Sequence, residues 1–277
     1  LQGLKTYGNI KDSAGIADVC NYIGKVYNRL NEKESAKKYL FKALSLHQRL
    51  QNNRGIATSY NGLGNVFMDN HDVIKALEFF EKSKDFHTLG GDQIGISIAH
   101  INIGTIYDMM SSLADDSLTI VAANINYKSK APIKQSILDS AKLYFQGSIV
   151  INNRVGNQFG LVYGYNGIGD VLVKQSRFKD AIPQFVKAYA ISKELNAVSE
   201  QYESAKRLAT CFEMINNNDS AYFYLKTYTH LKEEVIEAKK KQLEKYKIRE
   251  SAKKNTSAYR DFVLNLDEEI KTLENEL

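Results

Sequence analysis

Apolar positions along this chain follow helical spacing, and small residues interrupt them at a constant interval. Four segments align without gaps: Asn21–Tyr27 (NYIGKVY), Asn61–Phe67 (NGLGNVF), Ile101–Tyr107 (INIGTIY) and Asn166–Leu172 (NGIGDVL). Forty residues separate Gly24 from Gly64 and Gly64 from Gly104; Gly169 follows after sixty-five, which is forty plus an insertion of twenty-five. A degenerate fifth copy, Arg207–Phe212, places Ala209 another forty residues on. Twelve residues after the small residue stand Ala36, Ala76, Ala181 and Ala221, with Ala141 in the third copy beyond the insertion. Four further come Leu40, Phe80, Phe145, Phe185 and Leu225, and three more give Ala43, Ser83, Ser148, Ala188 and Tyr228. Steps of four and three keep one helix face apolar, and small side chains let two backbones approach. The pattern predicts an all-α chain built from antiparallel helix pairs.

A second glycine stands nine residues before the first in four copies, at Gly15, Gly55, Gly95 and Gly160, preceded by Asn, Asp or Gln; Glu200 replaces it in the fifth. Such clusters are expected to end one helix and cap the next. Gly15 then belongs to a linker, so residues 1–13 are expected to be the end of a preceding, truncated repeat, with the natural protein extending upstream. Residues 14–231 are expected to form the repeat array, interrupted at about 112–136. Within that interruption Leu113–Val121 is expected to prolong the preceding helix, and Asn124–Pro132 reads as a polar loop. Residues 232–277 are expected to be a charged helical tail.

These spacings resemble the tetratricopeptide repeat family, whose pattern is a large residue, Leu-Gly, Tyr, then Ala, Phe and Ala. The resemblance covers roughly Ala17 to Leu231. It departs in its first slot, filled by Cys20, Tyr60, His100, Tyr165 and Ala205, in lacking the closing proline, and in a period of forty. The longer period is similar to a sub-group found in bacterial peptide-sensing regulators, kinesin light chains and bacterial signalling proteins. What the resemblance implies is a right-handed α-solenoid of about five units with a long C-terminal helix or coiled coil. It further implies a concave groove lined by the first helix of each pair, where Asn21, Lys25, Asn61, Asn65, Asn102, Asn166, Asp170, Lys206 and Arg207 would meet a protein or peptide. An amide carries both donor and acceptor, so an asparagine ladder can bond an extended backbone whatever its side chains.

Composition agrees with a helical, folded chain: 43% hydrophobic residues, 25% charged and only two prolines. No run of apolar residues is long enough to span a bilayer, and Leu1–Tyr7 shows no signal-peptide pattern. Cys20 and Cys211, expected at opposite ends of a stack, are not expected to pair; a reduced cytoplasm is the default compartment, a periplasmic sensor region the alternative. The five histidines show no ligand spacing and no motif suggests a catalytic set, so neither metal, cofactor nor enzymatic activity is expected. Gly62-Leu63-Gly64 lies inside a helical pattern and follows no strand, which excludes a phosphate-binding loop.

The formal charge of +5 is uneven. Lys239 to Lys254 carries eight basic residues against Glu244 and Glu250, while Asp261–Leu277 is acidic; a solvated helix face is expected there, with nucleic acid not expected as partner. Val263, Leu266, Ile270, Leu273 and Leu277 step by three and four as a coiled-coil seam. They are expected either to dimerise the chain or to fold back as a capping helix. Taken together, the sequence points to a protein- or peptide-binding sensor or scaffold region of a larger signalling protein. The alternative is a cytosolic peptide-responsive regulator whose C-terminal helices bind DNA or an effector.

Overall fold

The computed structural model describes residues 13–128 and 132–252. Among these residues there are eleven helices and no strand: α1 (Ser13–Arg29), α2 (Lys33–Arg49), α3 (Asn53–Asp69), α4 (Val73–Leu89), α5 (Gln93–Met110), α6 (Asp115–Asn124), α7 (Ile133–Val155), α8 (Gln158–Lys174), α9 (Phe178–Glu194), α10 (Val198–Met214) and α11 (Asn218–Ala252). The forty-residue period has a direct structural origin. Helices α1 to α4 have 17 residues each, and each is followed by a three-residue turn. Two such helices and two turns make one repeat. The turns carry one left-handed residue, Asn31, Gln51, His71 or Gly91 in succession, which reverses the chain before the next helix starts.

The chain divides into two compact units, residues 1–171 and 172–277, the division falling near the end of α8. In the first unit α1 packs on α2, α2 on α3, α3 on α4, α4 on α5 and α5 on α7; the first helices also touch each other, α1 with α3 and α3 with α5. One large side chain from each second helix explains the close approach. Leu40 fills the space where a Cβ on either Gly24 or Gly62 would lie, at 2.5 and 2.6 Å. Phe145 does the same for Gly104 and Gly167, at 3.0 and 2.4 Å, and Phe80 for Gly64 at 2.5 Å. All three are buried, each removing enough apolar surface from water to contribute about 1.5–3 kcal/mol. The motif glycines therefore exist to admit a wedge between neighbouring first helices.

The other glycine series differs from expectation. Gly55, Gly95 and Gly160 are not turn residues; each lies in the first turn of its helix and none has a positive φ. The turn is capped by a different atom: Asn52 Oδ1 accepts from Gly55 N (3.0 Å), Asp92 Oδ1 from Gly95 N (3.0 Å) and Asn157 Oδ1 from Gly160 N (3.3 Å). What glycine supplies is space. A Cβ at these positions would overlap His47, His87 or Asn152, each from the end of the preceding second helix.

The insertion also departs from expectation. α5 ends at Met110 with Ser111 as its C-cap, and α6 is a separate helix. Ser111, Ser112, Leu113 and Ala114 break the path, so Leu113–Val121 does not prolong α5. α6 packs on α7, burying Leu118 and Ala122, and the Tyr127 hydroxyl donates to the Ser136 carbonyl at 2.7 Å.

In the second unit α9 packs on α10 and α10 on α11. α11 is a single unbroken helix of 35 residues that continues past the last repeat position, Tyr228. It keeps burying one stripe, Tyr228, Leu231, Lys232, Val235, Ile236 and Leu243, in the steps of three and four that hold a single helix face inward. The Lys232 ammonium donates to the Tyr228 hydroxyl at 3.0 Å.

Candidate functional site

On α3 the residues Arg54, Thr58, Asn61, Asn65 and Met68 recur in steps of four and three, opposite the buried Ile56, Leu63 and Val66. The same stripe on α5 is Ile94, Ile98, Ile101, Thr105 and Asp108, with Asn102 at its edge; on α8 it is Phe159, Tyr163, Asn166 and Asp170. These faces turn away from the second helices, because the glycines that receive Leu40, Phe80 and Phe145 lie on the other sides. The central feature is an amide pair across two first helices: Asn102 Nδ2 donates to Asn61 Oδ1 at 2.7 Å, both half-buried. That bond leaves the Asn61 amino group and the Asn102 carbonyl for another molecule. Donor and acceptor side by side match the carbonyl and N–H of an extended peptide.

The other expected residues divide. Asn65 and Asp170 are half-buried on the stripe, and Asn166 is buried at its position. Lys25 is exposed on α1. Burial around its ammonium, with the like charge of Arg29 second, nevertheless holds its pKa below the ordinary lysine value. Asn21 differs from the expectation of a surface amide. It is 4% exposed; its Nδ2 lies 3.3 Å from His47 Nε2 and its Oδ1 accepts from Ser59 Oγ at 2.8 Å. The amide is used up in joining α1, α2 and α3. Lys206 and Arg207 lie on α10 in the second unit. Lys206 Nζ stands 5.7 Å from the centre of the Tyr228 ring, and Arg207 Nη1 bonds Glu203 one turn back at 3.0 Å. The seam Val263, Leu266, Ile270, Leu273 and Leu277 lies outside the described residues.

Comparison with known proteins meets this geometry at the first repeat. The family model described as the tetratricopeptide repeat matches residues 17–48, which is most of α1 and of α2. Residues 17–48 are therefore a tetratricopeptide repeat. Solved structures similar to it include BtubC (BKLC) from P. vanneervenii, 12% identical, TM-score 0.62, covering 84% of this chain and 88% of that one. The apo form of RapI is 17% identical with TM-score 0.59, covering 97% and 89%. A putative kinesin light chain from Podosopora anserina with nearly identical TPR-like repeats is 12% identical with TM-score 0.55, covering 79% and 95%. At these identities the likeness is one of fold. No curated protein matches the sequence.

Within the tetratricopeptide frame, sequence reasoning missed a buried polar joint between repeats. His47 and His87 occupy the same position near the ends of α2 and α4, and Asn152 occupies it on α7, each eight residues before Gly55, Gly95 or Gly160. That constant spacing was the available signal. His47 is fully buried, with Nδ1 3.4 Å from Asn52 Nδ2 and Nε2 3.5 Å from Asp18 Oδ1. His87 Nδ1 lies 3.2 Å from Asp92 Oδ2, whose other partner is Arg54 at 3.2 Å. Burial lowers the pKa of both imidazoles and outweighs the opposing pull of Asp18 and Asp92. His100, packed edge-on to Tyr144, is lowered by burial and by Lys84. Among the described residues no group of three or more His, Cys, Asp or Glu could hold a metal ion, and no helix is long and apolar enough to cross a membrane.

Proposed function

We propose that this chain binds an extended polypeptide segment along the exposed stripes of α1, α3, α5 and α8. The reading is supported above all by the Asn61–Asn102 amide pair, half-buried between two first helices with one donor and one acceptor left over. Lys25, Asn65, Asn166 and Asp170 extend the polar track on either side. Lys206 and Arg207 would serve a contact of the second unit. The coarser role is that of a protein-binding scaffold. The finer one is the sensor region of a larger signalling protein, in which α11 carries the bound state onward and the seam at Val263–Leu277 pairs two copies. The test is affinity capture from an extract of the source cells, comparing wild type with the Asn61→Ala, Asn102→Ala double variant at matched Tm. Loss of a captured protein in the variant supports the reading; equal recovery removes the asparagine face from contention. Light scattering with and without residues 253–277 tests the pairing.

A further inference from the structure

The exposed stripe changes chemistry along the first unit. On α5 and α8 its amino-terminal half is apolar: Ile94 is 48% exposed, Ile98 42%, Phe159 47% and Tyr163 47%. The same positions on α3 are Arg54 and Thr58, and on α1 Ala14 and Asp18. α5 and α8 are neighbouring first helices, since both close on a single ring, Phe145, through Gly104 and Gly167, and the four apolar residues occupy the same two frame positions on each. Within each helix the pair sits four residues apart, so both side chains leave the same face.

At the other end of the stripe the surface is cationic. Lys33 is held by Asn28 Oδ1 at 3.0 Å and Asp69 at 3.6 Å. Lys25 and Arg29, one turn apart on α1, make no ion pair among the described residues, and each is exposed. The nearest acid on that face of α1 is Asp18, two turns away and engaged with His47. Two like charges a turn apart repel, which an anion between them would relieve. Between the two ends lies the Asn61–Asn102 pair.

Resting on the peptide-binding reading above, we infer that the occupant is an extended peptide carrying a bulky apolar side chain at one end and an acidic side chain at the other. The apolar group seats on Ile94, Ile98, Phe159 and Tyr163; the carboxylate seats between Lys25 and Arg29; the intervening backbone bonds Asn61 and Asn102. Charge complementarity selects the acid and excludes a basic segment. The four residues, none of them charged, select the apolar anchor. Three steps between neighbouring first helices, each roughly 8–10 Å, put the ends about 25–30 Å apart. An extended chain covers that distance in about eight or nine residues.

The experiment is selection of phage-displayed random peptides, about twelve residues long so as to span the face, on the whole chain, followed by fluorescence polarisation with the enriched peptide as probe. Enrichment of an acid and an aromatic or aliphatic residue about eight or nine positions apart is the expected result. Lys25→Ala with Arg29→Ala then weakens the probe by about tenfold or more, and loses that effect on a probe whose acid is changed to the amide. Ile98→Ser with Tyr163→Ser does the same, and loses its effect when the anchor is changed to Ala. Both pairs are exposed, and unchanged Tm shows that folding is intact. Probes weakened by Asn61→Ala with Asn102→Ala, but indifferent to both other pairs, would overturn the bipartite ligand while leaving the peptide-binding reading standing. Probes indifferent to all three pairs, or no enrichment, would overturn both.

Discussion

Replacing Gly167 by Ala tests whether the motif glycines are there to admit a wedge. An added Cβ would lie 2.4, 2.5 and 2.6 Å from Cε1, Cδ1 and Cζ of Phe145, where ordinary contact begins near 3.4 Å. The ring must retreat by about 1 Å. On its other side a Cβ at Gly104 would already sit 3.0 Å away, so the retreat presses the ring onto the α5 backbone. Overpacking of this kind costs typically 1–3 kcal/mol, here at the upper end because both exits are closed. The better helix propensity of Ala returns about 1 kcal/mol, leaving a net loss of about 2 kcal/mol. For a chain of this size that lowers Tm by roughly 4–8 °C, measured by circular dichroism melting or urea titration. Phe145→Leu alone costs about 1–1.5 kcal/mol, and adding Gly167→Ala to it costs little, because a Leu in this slot, like Leu40 beside Gly62, meets the methyl with the flexible end of its chain. A coupling of at least about 1 kcal/mol is therefore expected. Gly90→Ala is the control: its nearest neighbour would be 3.4 Å away, and the variant gains a few tenths of a kcal/mol. If Gly167→Ala matches wild type, or the two changes add, the wedge is not what the glycine serves.

Stability should depend on pH through His47 and His87. Their folded pKa values lie below the ordinary one, so the unfolded chain takes the proton first. The contribution is complete above about pH 6.5 and is lost as pH falls towards the folded pKa; urea titrations from pH 8 to 5 should show it, and less so in His87→Gln. Asn21→Ala should cost about 1–3 kcal/mol of stability through the loss of two buried contacts, read as a lowered Tm, whereas Asn61→Ala with Asn102→Ala should leave Tm nearly unchanged and act on partner capture. Asp92→Ala removes the cap on Gly95 N and the partner of His87; the cap alone accounts for about 1 kcal/mol, read as a lowered urea midpoint.

How far the sequence reveals such a molecule depends on whether a feature is periodic or relational. Gly24, Gly64 and Gly104 return every forty residues because two 17-residue helices and two turns recur, and a backbone period of that kind is written directly in residue spacing. The separate α6 was not legible, since Leu113–Val121 has helical composition on both readings and only the turn at Ser111–Ala114 decides. Asn21 and Asn61 show the limit most clearly. They occupy the same position in two aligned copies, yet one is buried against His47 and Ser59 while the other meets Asn102 at the surface. The difference lies in their partners: the equivalents of Ser59 and Asn102 in the neighbouring copies are Ala99 and Gly62. An amide's role is set by which polar atom a second helix brings within about 3 Å. Frame position alone fixes only the direction in which the side chain leaves its own helix. A repeat thus conveys its scaffold through what recurs and its binding chemistry through what does not, which is why the contrast of Ile98 and Tyr163 with Thr58 and Asp18 in the same frame carries more information about a ligand than the asparagines common to several copies.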